Sequence, residues 1–150
     1  MVSLQPFTTF ADSVMQLERA YLERLMMWGG VSIVAGTAVM ALLAVWRTRS
    51  PLLKQFALQH LMWGMGALIV GAVRWRAVPL RDLGSATRLD RLLWFNAGLD
   101  VGIVAVGVAL TVAAFKLGPR QGLAGAALAL IVQGVALFVI HGRLMVALRV

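Results

Sequence analysis

The sequence contains no cysteine, and this absence excludes disulfide bonds and thiolate metal sites. Acidic residues are scarce, with 6 Asp and Glu against 14 Lys and Arg. Charged residues make up only 13% of the chain, whereas a soluble globular protein has about a quarter. Because 61% of the residues are hydrophobic, the composition predicts an integral membrane protein.

Sequence motifs of catalysis are also missing. There is no HExxH, GxSxG or phosphate-binding loop, and no pair of carboxylates. We therefore predict that the protein is not an enzyme. The net charge of +8 does not indicate nucleic-acid binding, because the basic residues lie between or beside apolar runs, where they meet anionic lipid headgroups.

Four apolar runs are long enough to cross a bilayer, which takes about 20 residues. They cover residues 25–46, 54–76, 92–116 and 122–142. The links between them are short, which favours antiparallel neighbours. The predicted fold is a single all-α domain, an antiparallel four-helix transmembrane bundle preceded by an amphipathic helix over residues 10–24. A cleavable signal peptide is not expected, because the first apolar run is too long for one.

The amphipathic helix has an apolar face at helical spacing. This face consists of Phe10, Val14, Leu17 and Tyr21. Glu18 is assigned to the polar side. Such an apolar face is typical of a helix anchored at the membrane surface. Because it is the only large apolar face outside the spans, it is also the best candidate for contact with a partner protein.

Two helix starts have capping residues in the sequence. Thr9 is followed three residues later by Asp12, which takes the place of the usual Glu in a capping box. Ser50 and Pro51 are predicted as the N-cap and the first residue of the helix that contains the second span.

The third span contains a carboxylate, Asp100, with Asn96 one turn before it on the same face. A carboxylate in hydrocarbon is costly, so Asp100 should face protein and have a partner. Arg74 closes the second span and His141 closes the fourth span on the same side of the membrane. The sequence thus predicts an intramembrane polar cluster of Asp100, Asn96, Arg74 and His141.

Small residues mark faces for close helix packing. We assign this role to Gly64, Gly71, Gly98 and Gly102. The last two form a GxxxG pair, and we expect them to pack against the second span.

No cofactor is predicted. His60 and His141 are the alternative axial ligands for a chlorophyll-type pigment or haem. They lie at opposite ends of their spans, so they cannot ligate one iron together.

The basic residues also predict an orientation. Nine of the 14 lie on the side of the chain termini, so we expect both termini to be cytoplasmic in a multi-pass protein of the bacterial inner membrane.

Two segments carry a resemblance to a known family. WFNAGLDVG (94–102) and GAALALIVQG (125–134) are similar to small four-helix bacterial membrane proteins of an uncharacterised family. The resemblance implies a four-helix fold without a function.

The leading functional hypothesis is a non-catalytic accessory subunit of a larger membrane complex, of respiratory or photosynthetic type. It depends on the small-residue faces present on all four spans. Its partners would be other integral membrane proteins and membrane lipids, including anionic headgroups. One alternative is a small proton- or ion-coupled carrier or channel using Asp100. Another is a pigment- or quinone-binding subunit using His60 or His141.

Overall fold

Four long helices make up the fold. The computed structural model describes residues 9–116 and 120–149, and the helices are α1 (Phe10–Val45), α2 (Pro51–Trp75), α3 (Leu83–Lys116) and α4 (Gln121–Ala147). No strand occurs within these described ranges. Each helix is long and apolar enough to cross a membrane. The predicted all-α class with four membrane-length helices is confirmed.

Helices α1 and α3 are longer than a membrane requires. They contain 36 and 34 residues, which correspond to about 50 Å at 1.5 Å per residue, against a hydrocarbon core of about 30 Å. The predicted amphipathic helix and first span are one continuous helix, because no glycine or proline interrupts residues 10–24. Helix α3 likewise begins nine residues before the predicted third span.

The helix starts follow the predicted capping chemistry. Asp12 N–H donates to Thr9 Oγ1 at 3.2 Å, and Asp12 Oδ2 accepts from Thr9 N–H at 3.2 Å, which completes the capping box. Ser50 Oγ accepts from Leu53 N–H at 3.3 Å, and Pro51 opens α2. Both predicted caps are confirmed.

The helices approach one another through glycines. A Cβ added to Gly64 would lie 2.7 Å from the carbonyl oxygen of Gly29, so α1 and α2 touch backbone to backbone. Further along the same pair, Gly36 lies against Ala57. Gly107 of α3 lies against α4, where a Cβ would come within 2.9 Å of the Ala127 carbonyl oxygen. Close packing of this kind holds helices together where burial of apolar surface gives no driving force.

Helix α4 is the centre of the arrangement. It packs against α1, α2 and α3, and α1 also packs along α2. Within the described residues, α3 packs along α4 but makes no substantial contact with α2. The bundle therefore has an open side between α2 and α3.

The core of large side chains lies at one end of the bundle. The start of α1, the start of α3 and the end of α4 meet there, and their buried residues form one cluster: Tyr21, Leu22, Leu25, Leu89, Leu93, Ala97, Leu144 and Met145. The rest of the bundle packs through small residues. Many large apolar side chains point outward, among them Val34, Ile69 and Val106, which is the pattern of a surface that meets lipid.

The apolar face at the start of α1 is turned inward. Val14 and Tyr21 are buried in the chain itself, Leu17 packs against the core cluster, and only Phe10 is exposed. The prediction that this face is free for a partner is wrong for Val14 and Tyr21. The physical reason is that the starts of α1 and α3 and the end of α4 bury their apolar sides together in the core cluster.

The four predicted packing glycines divide into two pairs. Gly64 and Gly71 are buried against α1, where Gly71 faces Met26. Gly98 and Gly102 lie on the exposed side of α3, and an added Cβ would meet nothing within 4 Å. The expectation that Gly98 and Gly102 pack against the second span is wrong, because α3 packs along α4 through a different face that contains Gly107.

Candidate functional site

A cavity lies between α2 and α3. Its volume is about 730 Å³; α2 supplies the largest share of the lining residues, and all four helices contribute to the wall. Apolar residues predominate in the lining, including Leu25, Met62, Val70 and Ile103. All four residues of the predicted polar cluster lie on its wall: Arg74, Asn96, Asp100 and His141.

A chain of hydrogen bonds crosses three helices at the wall of this cavity. Asp100 Oδ2 of α3 lies 2.6 Å from Nδ1 of His141 in α4. His141 Nε2 lies 3.1 Å from the hydroxyl oxygen of Tyr21 in α1. All three side chains are buried, and Asp100 is only 3% exposed. Of the two partners expected for Asp100, the structure places His141 in contact with it.

The hydrogen-bonding roles in this chain follow in part from the chemistry of its groups. A carboxylate oxygen accepts hydrogen bonds, so Asp100 Oδ2 accepts from Nδ1–H of His141. His141 Nε2 can accept from the Tyr21 hydroxyl or donate to its oxygen, because a hydroxyl does both. The two contacts fix the imidazole ring between two helices, as a buried polar network should.

Arg74 has a different partner from the expected one. Its Nη2 donates to Glu18 Oε1 of α1 at 3.2 Å. Arg81, in the link between α2 and α3, reaches the same carboxylate with two bonds, Nε to Oε2 at 2.7 Å and Nη2 to Oε1 at 2.9 Å. The two-pronged geometry is the strong form of an arginine–carboxylate pair. Arg81 therefore neutralises Glu18, and Arg74 adds a net positive charge beside the cavity.

The Glu18 ion pair affects the titration of its partner. Hydrogen bonds to Glu18 raise the pKa of Arg81 above its usual value, while partial burial opposes this change. A raised arginine pKa gives stability that is fully present below the pKa of the unfolded chain and is lost as pH rises through the folded value. The link between α2 and α3 is thus fixed to α1 by an ion pair whose guanidinium stays charged up to strongly alkaline pH.

Glu18 was missed by sequence reasoning, although the sequence contains a signal for it. Glu18 follows Val14 by four residues and precedes Tyr21 by three, so it belongs to the same helical stripe as these buried residues. It is 1% exposed. Its partner Arg81 lies in an irregular link, whose course the helical pattern does not predict.

A second polar contact joins α1 and α4 deeper in the bundle. Trp28 Nε1 donates to Gln133 Oε1 at 2.7 Å, and Gln133 Nε2 donates to Ser32 Oγ at 3.2 Å. Gln133 lies near the middle of α4 and also lines the cavity. Its amide oxygen and nitrogen are both engaged, so it fixes the register between the two helices.

His60 lies apart from this site. Its Nδ1 is 3.2 Å from the carbonyl oxygen of Phe56, one turn earlier in α2, and its ring lies 4.3 Å from that of Phe56. His60 does not line the cavity. In residues 9–116 and 120–149, no three His, Cys, Asp or Glu side chains are grouped so that they could hold a metal ion.

Comparison with known proteins places the chain in a family. No curated protein and no solved structure matches it. A family model matches residues 24–142, a stretch that contains the greater part of all four helices and every polar residue that lines the cavity except Tyr21. The chain belongs to the family of unknown function DUF6992.

Proposed function

We propose that the protein is a non-catalytic membrane protein that binds a lipid-soluble molecule in the cavity between α2 and α3. The observation that carries this proposal is the cavity itself: about 730 Å³ of mainly apolar space with Tyr21, His141 and Asp100 at its wall. Small-molecule sites have this character, with an apolar lining and a few polar groups that orient the ligand.

The bundle that holds the cavity is proposed to be antiparallel in the membrane. Residue numbers rise along α1 from Gly29 to Gly36 while their contacts in α2 fall from Gly64 to Ala57. Helices α3 and α4 also run in opposite directions, because Asp100 lies against Gly134 whereas the later residue Gly107 lies against the earlier residue Ala127. The large apolar side chains on the outside then face lipid.

A ligand of this cavity would enter from the lipid. Helices α2 and α3 do not pack against each other over any substantial length, so the space between them opens sideways. Gly66, on the wall of the cavity, is exposed in α2, and an added Cβ would meet nothing within 4 Å. A molecule dissolved in the bilayer would therefore need no aqueous route.

Filling the cavity tests the proposal. Gly66→Phe places a ring in open space at the wall, without a clash. Gly30→Phe is the matched control, because Gly30 is also a helical glycine with nothing within 4 Å but does not line the cavity. The three proteins are purified in lipid nanodiscs, and the molecules that co-purify are extracted and measured by mass spectrometry. We expect a molecule retained by wild type and Gly30→Phe and lost from Gly66→Phe. Equal retention by all three proteins would contradict the proposal.

A second candidate function is the accessory subunit of a larger membrane complex. The observation that favours it is the GxxxG pair, Gly98 and Gly102, which lies on the exposed side of α3 with room for another helix. Gly102→Phe would block this surface and leave the fold intact. We expect this variant to lose partner membrane proteins that co-purify with wild type. Unchanged co-purification would count against this use of the surface.

The orientation is proposed from the charges. Basic residues are more numerous on the side of the termini, so we propose that both termini lie in the cytoplasm. The bacterial inner membrane is proposed from the resemblance of residues 94–102 and 125–134 to bacterial membrane proteins. Reporter fusions at Val150 and in the 46–50 link should report cytoplasmic and periplasmic positions respectively. The reverse pattern would overturn the orientation.

A further inference from the structure

One oxygen of Asp100 is available to a molecule in the cavity. Within the described residues, Oδ2 alone has a hydrogen-bond partner, which is His141. Asp100 Oδ1 is not fully enclosed by protein, in contrast to Asp90 Oδ1, which is enclosed and has no partner. Because Asp100 lines the cavity, its Oδ1 presents a hydrogen-bond acceptor there.

Donors lie on the wall of the same cavity. Arg74 and Asn96 line it together with Asp100, and Arg74 bonds to Glu18 rather than to Asp100. A carboxylate and a guanidinium thus share one cavity without forming an ion pair with each other. An anionic head group would be attracted by Arg74 and repelled by Asp100, and a cationic one the reverse, so a charge of either sign is opposed by one of the two groups. An uncharged hydroxyl group suits both, since it donates one hydrogen bond and accepts another.

The shape of the cavity indicates a long apolar chain beyond this head group. Its lining residues on α2 extend from Gln59 to Arg74, which corresponds to about 22 Å along the helix axis. Between these ends the α2 wall is formed by residues with little polarity: Met62, Trp63, Gly66, Ala67 and Val70. The polar side chains of α3 and α4 that line the cavity lie mostly near the Arg74 end.

We infer that the cavity binds an uncharged amphiphile with a hydroxyl head group and a single apolar chain, and that the hydroxyl donates to Asp100 Oδ1. This inference rests on the proposed function and narrows its ligand class. Two sources share this chemistry, the prenyl alcohols and the hydroquinones with an apolar tail.

Competition between matched probes tests the inference on the full chain in nanodiscs. Geranylgeraniol competes against its methyl ether, and decylhydroquinone against its dimethyl ether; mass spectrometry measures which molecule is retained. Methylation removes the donor and keeps the chain. A hydrogen bond to a charged group corresponds to a preference of about tenfold or more for the hydroxyl compound. The hydroxyl compound with the tighter binding identifies the source.

Asp100→Asn supplies the residue-level check. The asparagine oxygen can still accept from His141, and its amide nitrogen then faces the cavity as a donor. An alcohol and an ether both accept from such a donor, so the preference should fall to near unity.

Two results would overturn the inference, and they are distinguishable from a failure of the proposed function. One is equal binding of hydroxyl compounds and ethers by wild type, with both displaced by Gly66→Phe. The other is a preference that survives in Asp100→Asn. If Gly66→Phe displaces no probe, the proposed function fails as well.

Discussion

Asp100 is the residue on which the candidate site depends most. It lies in the apolar part of α3, and its contact with His141 satisfies a buried group on each side. Removing one member of a buried pair leaves the other without a partner, which costs more than the net value of the hydrogen bond. The effects of substitution should therefore depend on whether an acceptor remains for His141.

Asp100→Leu is expected to lower the free energy of unfolding by about 1–3 kcal/mol, because His141 Nδ1 then has no acceptor. Asp100→Asn should cost less, since its amide oxygen can take the same place. Val101→Leu is the control, because Val101 is the exposed neighbour in the chain. Thermal unfolding in mild detergent measures all three. Equal losses for the Leu and Asn variants would contradict the assigned hydrogen bond.

Asp82 caps the start of α3. Its Oδ1 accepts from Ser85 N–H at 2.7 Å and from the Ser85 hydroxyl at 2.6 Å. These bonds lower the pKa of Asp82 below its usual value of 3.8. A lowered carboxyl pKa gives stability that is present above the unfolded value and is lost as pH falls through the folded value.

The pH dependence of this cap can be measured with two variants. Asp82→Ala should unfold at a lower temperature than wild type near neutral pH, and the difference should shrink well below pH 3.8. Asp82→Asn caps the helix without titrating, so its advantage over the Ala variant should persist in acid. A wild-type advantage that stays constant into acid would show that the ionised form of Asp82 does not matter.

The helices as elements are joined mainly by close backbone contacts, and among the described glycines the closest approach is between α2 and α4. A Cβ added to Gly125 would overlap the carbonyl oxygen of Leu52. At Gly122, one turn earlier in α4, a Cβ would lie 3.4 Å from the flexible Gln55 side chain. An added Cβ therefore requires the backbone to move at Gly125 but not at Gly122.

Gly125→Ala is therefore expected to destabilise the protein by about 1–3 kcal/mol, the usual cost of overpacking. Gly122→Ala should be nearly neutral, and it has the same chemical change in the same helix. Unfolding in detergent compares the two. Equal stability would show that α2 and α4 can separate at no cost.

Patterns in the sequence predict the helices and their caps well, but they predict less well which groups the helices contact. The caps at Thr9 and Ser50 depend on residues within one turn, so local chemistry is sufficient. The role predicted for Gly98 and Gly102 was wrong, because a stripe of small residues does not show which helix packs against it. Arg74 bonds to Glu18, and Arg81 shares this carboxylate from an irregular link whose course no helical pattern predicts.

For the whole molecule, the start of α1 belongs to the fold. It contributes Val14, Glu18 and Tyr21 to the buried set, and Glu18 holds the link between α2 and α3 through Arg81. The sequence places Arg74 and His141 on the same side of the bundle as Asp100, but it does not decide which of the two contacts Asp100; the fold selects His141. The sequence also does not predict the cavity, because the gap between α2 and α3 results from the packing of all four helices.

Deleting residues 1–20 should lower the unfolding temperature. Arg74 and Arg81 would lose the Glu18 carboxylate, and Leu17 would no longer pack against the core cluster. Deleting residues 1–8 is the control, because it leaves Thr9 and all of α1. Thermal unfolding of both proteins in nanodiscs gives the comparison. Should the longer deletion unfold like wild type, the start of α1 would not be part of the core.

The attachment of α3 along α4 has a consequence for biosynthesis. The ribosome completes α3 before α4, yet α4 is the helix that α3 packs along. Asp100 and His141 are 41 residues apart, and at typical elongation rates that distance takes about 2–8 s to translate. During this interval α1 and α2 can pair through Gly29 and Gly64, whereas Asp100 must wait without its imidazole. The carboxylate of the third helix is thus synthesised before the imidazole that satisfies it, and α3 can take its place in the bundle only once α4 has been made.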